Sequence, residues 1–243
     1  MAGSGTKKDA TVKGVTPKGV TSRLIVGMSG ASGAAYGIRL LEACRELGIE
    51  SHLVMTGPAE MTIGYETALK PRAVAAKADY HYGVDDIAAP ISSGGFKTMG
   101  MIVAPCSVKA MSEIATGVTT TLLSRAADVC LKERRTLVLM VRETPLHLGH
   151  LRNLTALAEM GAVILPPVPA FYAAPRTLED IVDQTVGRAL DLFDYDWPDV
   201  KRWGEDIAKS RRKKKASPSA RSAATGEVAV AGSRASEGRR GKP

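Results

Sequence analysis

The sequence predicts an α/β domain in which a mostly parallel sheet lies between two layers of helices. Three observations predict it. Short apolar runs alternate with longer segments of helical spacing. Small or polar residues of the kind that close strand-to-helix turns follow the runs at residues 23–28, 100–104 and 136–141. At 243 residues, with 44% hydrophobic and 24% charged, the chain suits one globular domain with tails.

Taken in order, Arg23–Met28 (RLIVGM) reads as a buried strand ending in Gly and Ser. Ala34–Leu47 has helical spacing at Ile38, Leu41 and Leu47 and stops at Gly48. His52–Met55 is a second strand, Pro58–Leu69 a helix, and Gly100–Ala104 a strand broken by Pro105. Ser107–Ala115 and Thr121–Glu133 read as helices. Thr136–Val141 is a strand, His147–Met160 a helix, Ala162–Leu165 a strand and Leu178–Leu192 the last long helix. The pattern is Rossmann-like or flavodoxin-like: a single three-layer domain over residues 23–203, with ligands expected outside the carboxyl ends of the strands.

Charge separates the body from its ends. Residues 1–22 carry four lysines and one aspartate, and read as a flexible arm. Residues 204–243 carry eleven Lys/Arg against four Asp/Glu, with the run Arg211–Lys215, and read as a basic disordered tail. The chain totals +8, so the body between is slightly acidic. A nucleic-acid footprint, which would need a basic face on a folded element, is not expected. Cys44, Cys106 and Cys130 are too few and too scattered for a disulfide framework or a zinc site. No secretory signal and no apolar run of roughly 18 residues is visible, so a cytoplasmic protein that does not enter a membrane is expected.

The residues after the strands carry the chemistry. Ser29-Gly30-Ala31-Ser32-Gly33-Ala34 allows close backbone approach and opens a helix whose free N–H groups suit an anion. A phosphate or flavin loop fits, as does a plain tight turn. Gly27, Gly30 and Gly33 do not make G-x-G-x-x-G, and Met55-Thr56 replaces the acid that would hold a ribose, which argues against NAD. Pro105-Cys106-Ser107-Val108-Lys109 opens another helix with Ser107 as its cap. Cys106 is either a nucleophile or a buried structural thiol. Arg125 and Lys132, seven apart, share a helix face, and Arg142-Glu143 follows a strand. These suit phosphate recognition, while Glu133, Arg134 and Arg135 read as a solvated face. His147 and His150 lack a carboxylate to complete a metal motif and read as ordinary helix positions. Asp85-Asp86 lacks the second acidic cluster of a magnesium–diphosphate site. Three prolines in Pro166-Pro167-Val168-Pro169 stiffen the approach to Phe171-Tyr172.

Together these segments resemble the UbiX flavin prenyltransferase family. The resemblance runs through RLIVGMSGASGAAYGIRLLE, HLVMT, SSGGFKTMGMIVAPCSVK, LLSRAADVCLKERRTLVLMVRETPLHLGHLRNL, GAVILPPVPAFY and the last helix, leaving out both tails. It implies flavin contacts at Gly30, Ala31 and Ser32, with the Ser32 hydroxyl near flavin N5, and at Thr56, Ser107, Val108, Lys109, Ala110 and Arg142. It implies a prenyl-phosphate pocket of Lys132, Glu143, Tyr172 and Arg188 with Arg125 nearby, a further acid at Glu66, and an aromatic wall at Phe96. Ala110 stands where the family usually has Thr, and Thr120 where many relatives have Asp. The catalytic set implied is Ser32, Glu66, Lys132 and Glu143.

The same resemblance implies that a dimethylallyl group from dimethylallyl phosphate is joined to N5 and C6 of reduced FMN, without a metal. The product, prenylated FMN, would serve a UbiD-type decarboxylase, in a ubiquinone-type pathway. Dodecamers with sites between subunits are implied too. The residue inventory agrees: departing phosphate needs cations and a proton donor, and an allylic cation needs aromatic shelter. The runner-up is an FMN-dependent cysteine-type decarboxylase of the same fold, which needs a histidine beside the flavin. A non-enzymatic FMN carrier would have no use for the phosphate pocket.

Overall fold

The computed structural model describes residues 22–198 and 200–204. The chain divides after Lys201 into two units, and of the second only Arg202–Gly204 are described. The expectations for the two tails lie outside the described residues, apart from Ser22 and Gly204.

The first unit is an α/β domain around a six-stranded, wholly parallel sheet. Its strands are β1 (Arg23–Met28), β2 (Glu50–Met55), β3 (Tyr80–Tyr82), β4 (Gly100–Cys106), β5 (Thr136–Val141) and β6 (Val163–Ile164). They lie in the order β3-β2-β1-β4-β5-β6. Strand β3 and the short helix at Pro71–Ala75 depart from the sequence expectation, as does β4, which runs through Pro105 to Cys106 where a break was expected. The three residues of β3, Tyr-His-Tyr, are too few and too polar to show a period. The helices are α1 (Ala34–Leu47), α2 (Gly57–Glu66), α3 (Pro71–Ala75), α4 (Val108–Thr116), α5 (Leu122–Lys132), α6 (Leu148–Glu159) and α7 (Leu178–Asp191).

Alternation along the strands divides the core in two. Leu24, Val26 and Met28 face α1 and α7, with Ile102, Ala104, Val138 and Met140 beside them. Ile25, Met101, Val103, Leu137 and Leu139 face the opposite way, onto Met111, Leu122, Leu123 and Leu157 of α4, α5 and α6. Each buried apolar side chain contributes about 1.5–3 kcal/mol relative to exposure. Both faces are therefore needed to offset the entropy of ordering the chain. Polar caps set where helices begin. Ser107 and Thr56 accept from Ala110 N–H and Ala59 N–H, each at 3.2 Å, and Thr121 and Thr177 form capping boxes with Ser124 and Asp180. Ser107 and His147 thus precede the helices they were expected to open. None of the described helices is long and apolar enough to cross a membrane.

Candidate active site at the carboxyl ends of the strands

Doubly wound sheets bind ligands where connections leave neighbouring strands in opposite directions. Here β1 connects to β2 on one side while β4 lies on the other, so the crevice falls between β1 and β4. The Ser29–Gly33 turn closes β1 and Ser107 follows β4, so both small-residue loops open onto it. Buried Ser29 clamps the loops together. Its hydroxyl donates to the Pro105 carbonyl at 3.0 Å and accepts from the Ser107 N–H at 2.7 Å. Its own N–H also donates to the Pro105 carbonyl, at 3.1 Å. Nothing local in the sequence distinguishes this serine from Ser32, which is exposed.

A third turn closes the crevice. A Cβ at Gly30 would stand 2.3 Å from Pro58 Cβ, so α2 approaches this closely only because position 30 has no side chain. Glu66, at the end of α2, then reaches the start of α1. Its Oε2 accepts from Gly33 N–H at 2.8 Å and Ala34 N–H at 2.9 Å, capping a helix whose own N-cap is glycine. Partial burial pushes the Glu66 carboxyl up. The Ser32 hydroxyl, the two N–H donors and the charge of Arg142 outweigh it and hold the group below its ordinary range. Glu66 is thus a carboxylate here, hydrogen-bonded to Ser32.

Arg142 extends from the end of β5, its N–H donating to the Cys106 carbonyl at 3.0 Å. Its guanidinium acts on Glu66 and on Tyr36 of α1, whose phenol burial pushes up against the pull of that charge. Glu143 is exposed beside it and accepts from Thr144 N–H at 2.9 Å. Lys109 is exposed and pairs with Glu113 at 2.6 Å, while Val108 is half-buried and Ala110 buried. Two helix starts with N–H groups lacking intrahelical partners, hydroxyls at Ser32 and Thr56, and one guanidinium suit the phosphate and ring oxygens of FMN. FMN fits this donor set.

The remaining predicted residues do not all meet there. Phe96 precedes β4 and Lys132 precedes β5, which puts both at the amino edge of the sheet. A six-residue strand such as β1 spans about 20 Å, so the two lie that far from the flavin loops within one subunit. Arg125 is one turn into α5, its Nε donating to the Ser92 carbonyl at 3.2 Å and its Nη1 pairing with Asp128 at 2.6 Å. Lys132 pairs with Glu133. Arg188, one turn before α7 ends, pairs with Asp191. Tyr172 is part-exposed in a 3-10 turn, Phe171–Ala173, beyond β6.

Arg135 requires a correction. It is not part of a solvated face: its guanidinium donates to the carbonyls of Gly94 at 2.5 Å and Phe96 at 2.7 Å. Cys106 is wholly buried and its thiol is pushed up to about 12, so it is structural and not a nucleophile. His52 is buried inside β2 between Tyr82 and Glu50, each 2.9 Å away, and burial pulls its pKa down. His147 caps α6 through Nδ1, which accepts from Gly149 N–H at 3.0 Å, and its ring stacks on His150. Among the described residues no group of three or more His, Cys, Asp or Glu gathers as a metal site would.

Comparison with known proteins agrees with this geometry. The Flavoprotein family model matches residues 16–190. The flavin prenyltransferase UbiX of Escherichia coli K12 is 57% identical over 184 residues, covering 74% of this chain and 97% of its own. A crystal structure of AnUbiX in complex with FMN and dimethylallyl pyrophosphate superposes with a TM-score of 0.74 at 55% identity, covering 74% of this chain and 96% of that one. A dodecameric FMN-dependent UbiX-like decarboxylase from Escherichia coli O157:H7 superposes with a TM-score of 0.73 at 51% identity, covering 74% and 98%. With a crevice between β1 and β4 and more than half of the aligned residues shared with these relatives over 74% of the chain, the chain belongs to the UbiX flavin prenyltransferase family.

Proposed function

We propose that this protein, a flavin prenyltransferase by family, joins the dimethylallyl group of dimethylallyl phosphate to N5 and C6 of reduced FMN, and that a UbiD-type decarboxylase receives the prenylated flavin. The observation that carries the reading is the Ser32–Glu66–Arg142 set standing beside two loops clamped by Ser29. Reduced FMN supplies the nucleophilic nitrogen. The chain supplies everything that makes the donor's phosphate leave.

Gly30, Ala31, Ser32, Thr56, Ser107, Val108, Lys109, Ala110 and Arg142 hold the flavin through N–H groups, hydroxyls and one cation. Lys132, Tyr172, Arg188 and Arg125 bind the donor phosphate, whose charge grows as the carbon–oxygen bond breaks, so they stabilise the transition state more than the ground state. Glu143 hands that phosphate a proton as general acid. The Phe96 ring shelters the allylic cation. Glu66, a carboxylate whose Oε2 accepts from Gly33 and Ala34 N–H beside the first loop, takes the proton released when the C6 bond forms. No metal takes part.

The separation of about 20 Å between Lys132 and the flavin loops gives the assembly a purpose. The amino edge of one copy supplies Phe96 and Lys132 to the carboxyl edge of another. A dodecamer of the kind found for the relative from E. coli O157:H7 supports such an arrangement. That relative's name also favours a second reading, an FMN-dependent decarboxylase. Such an enzyme needs a histidine beside the flavin, whereas His52 is buried in β2 and His147 Nδ1 is committed to capping α6.

Anaerobic incubation with reduced FMN and dimethylallyl phosphate, followed by mass spectrometry of the flavin, tests the proposal. A mass gain of one prenyl unit, with EDTA present, is expected. Unchanged flavin alongside carbon dioxide release from a cysteine-terminated peptide would establish the second reading instead.

A further inference from the structure

The amino-edge pocket residues are held by a side chain that no substrate-facing role accounts for. Helix α5 ends in a Schellman turn: Arg134 N–H donates to the Leu131 carbonyl at 3.0 Å and Arg135 N–H to the Cys130 carbonyl at 2.8 Å. The turn places Arg134 in the left-handed region at φ 54 and sends Arg135 back against the segment before β4. There the Arg135 guanidinium donates to Gly94 O at 2.5 Å, to Phe96 O at 2.7 Å and to Thr98 Oγ1 at 3.5 Å. These contacts fix the loop on both sides of Phe96. The Phe96 ring then packs edge-on against His52, centroids 5.2 Å apart, with the Arg23 guanidinium 4.7 Å from its centroid.

The same loop presses on Lys132. A Cβ at Gly94 would stand 2.1 Å from Glu133 Oε1 and 2.7 Å from Lys132 Nζ, so the Lys132–Glu133 pair lies directly on the glycine backbone. Glu133 in turn feels both Lys132 and Arg135, whose charges hold its carboxyl below the ordinary range. Phe96, Gly94, Lys132 and Glu133 therefore share one support.

We propose that Arg135 is a positioning residue for prenyl transfer: by tying down the Gly94–Thr98 loop it fixes the Phe96 ring and the Lys132 ammonium relative to each other. The inference rests on the assignment of Lys132 and Phe96 to the donor pocket. A five-donor planar fork does this work, which the three-donor point charge of a lysine does not reproduce. Gly94 is the complementary element, because a Cβ there would push the ends of the Lys132–Glu133 pair from the positions they hold.

The test uses the full chain in its native assembly, with reduced FMN and dimethylallyl phosphate under anaerobic conditions. Arg135→Ala is expected to raise KM for dimethylallyl phosphate about tenfold or more, as loss of charge-assisted contacts does. Arg135→Lys should recover only part of this, and FMN affinity, read by quenching of flavin fluorescence, should stay within about twofold of the wild type. Gly94→Ala, which adds one methyl group against flexible side-chain ends, covers the case in which Arg135→Ala does not fold, and should raise the same KM with FMN affinity intact. Lys132→Ala separates the two levels of the argument. If it leaves KM unchanged, the donor-pocket assignment fails. If it raises KM while Arg135→Ala and Gly94→Ala both keep the wild-type value, the positioning role of Arg135 is overturned. A fall in melting temperature and FMN affinity in step with the rise in KM in Arg135→Ala, with Gly94→Ala unaffected, would equally reduce Arg135 to a structural residue.

Discussion

Replacing Ser29 by alanine tests whether the two flavin loops act as one unit. The hydroxyl removed is buried, donates to Pro105 O at 3.0 Å and accepts from Ser107 N–H at 2.7 Å. The Pro105 carbonyl keeps a partner, because Ser29 N–H still donates to it at 3.1 Å. Ser107 N–H loses its acceptor, in a place where a methyl group cannot serve. Leaving this part-buried donor without an acceptor costs up to about 2 kcal/mol, below the full penalty of a buried one. Taking about 2 kcal/mol, a domain of this size should melt roughly 4–8 °C lower. FMN affinity should fall about tenfold, since the β1 and β4 loops no longer hold a fixed separation before the ligand arrives. Differential scanning calorimetry at fixed protein concentration reads the first effect, and fluorescence titration with FMN the second. An unchanged melting temperature would refute the energetic argument. A lowered one with unchanged FMN affinity would show that the clamp serves the fold and not the site.

Glu143→Gln should bind FMN normally yet form prenylated flavin about 10²–10⁴-fold more slowly in anaerobic single-turnover assays, as loss of a general acid does. Arg188→Ala should instead raise KM for dimethylallyl phosphate by about tenfold or more while leaving the flavin spectrum near normal. Arg134→Gly should stabilise the protein by about 1 kcal/mol in urea unfolding, because φ 54 strains any residue with a Cβ. Glu66→Gln should be less stable than the wild type near neutral pH. The folded carboxyl lies below the ordinary 4.5, so the wild type's advantage is present above that value and disappears as pH falls through the lower folded one. Thermal melts of both proteins from pH 3 to 7 check this, and a constant gap across that range would contradict it.

Much of the fold was legible because a buried parallel strand needs an apolar run, and RLIVGM, GMIVA and TLVLMV provide one, although β4 continues past GMIVA to Cys106. The two small-residue loops were legible for a related reason: residues after such strands face the ligand edge, and only small or capping residues suit a helix start there. Tyr80–Tyr82 escaped notice because an edge strand of three residues has no room for a period. Thr56, Ser107 and Arg142 could be placed from the chain alone, each being a short step beyond its strand.

The tertiary structure decided what depends on distant residues meeting. Ser29 reaches Ser107 across 78 positions, and Glu66 caps a helix that starts 32 positions earlier. Arg135 looked like one charge among several in KERR, and only the path of the Gly94–Thr98 segment turns it into a half-buried support. The resemblance also gathered Lys132, Glu143, Tyr172 and Arg188 into one donor pocket, with Arg125 nearby and Phe96 as its aromatic wall, beside a flavin contact at Arg142. In the folded subunit Phe96 and Lys132 lie at the opposite edge of the sheet from Arg142 and Glu143. Patterns of period two and 3.6 specify which face of an element is buried, because burial is a local property of that face. They carry no information about which strands become neighbours, and so about which loops meet across the crevice, because that follows from the order in which the strands pair.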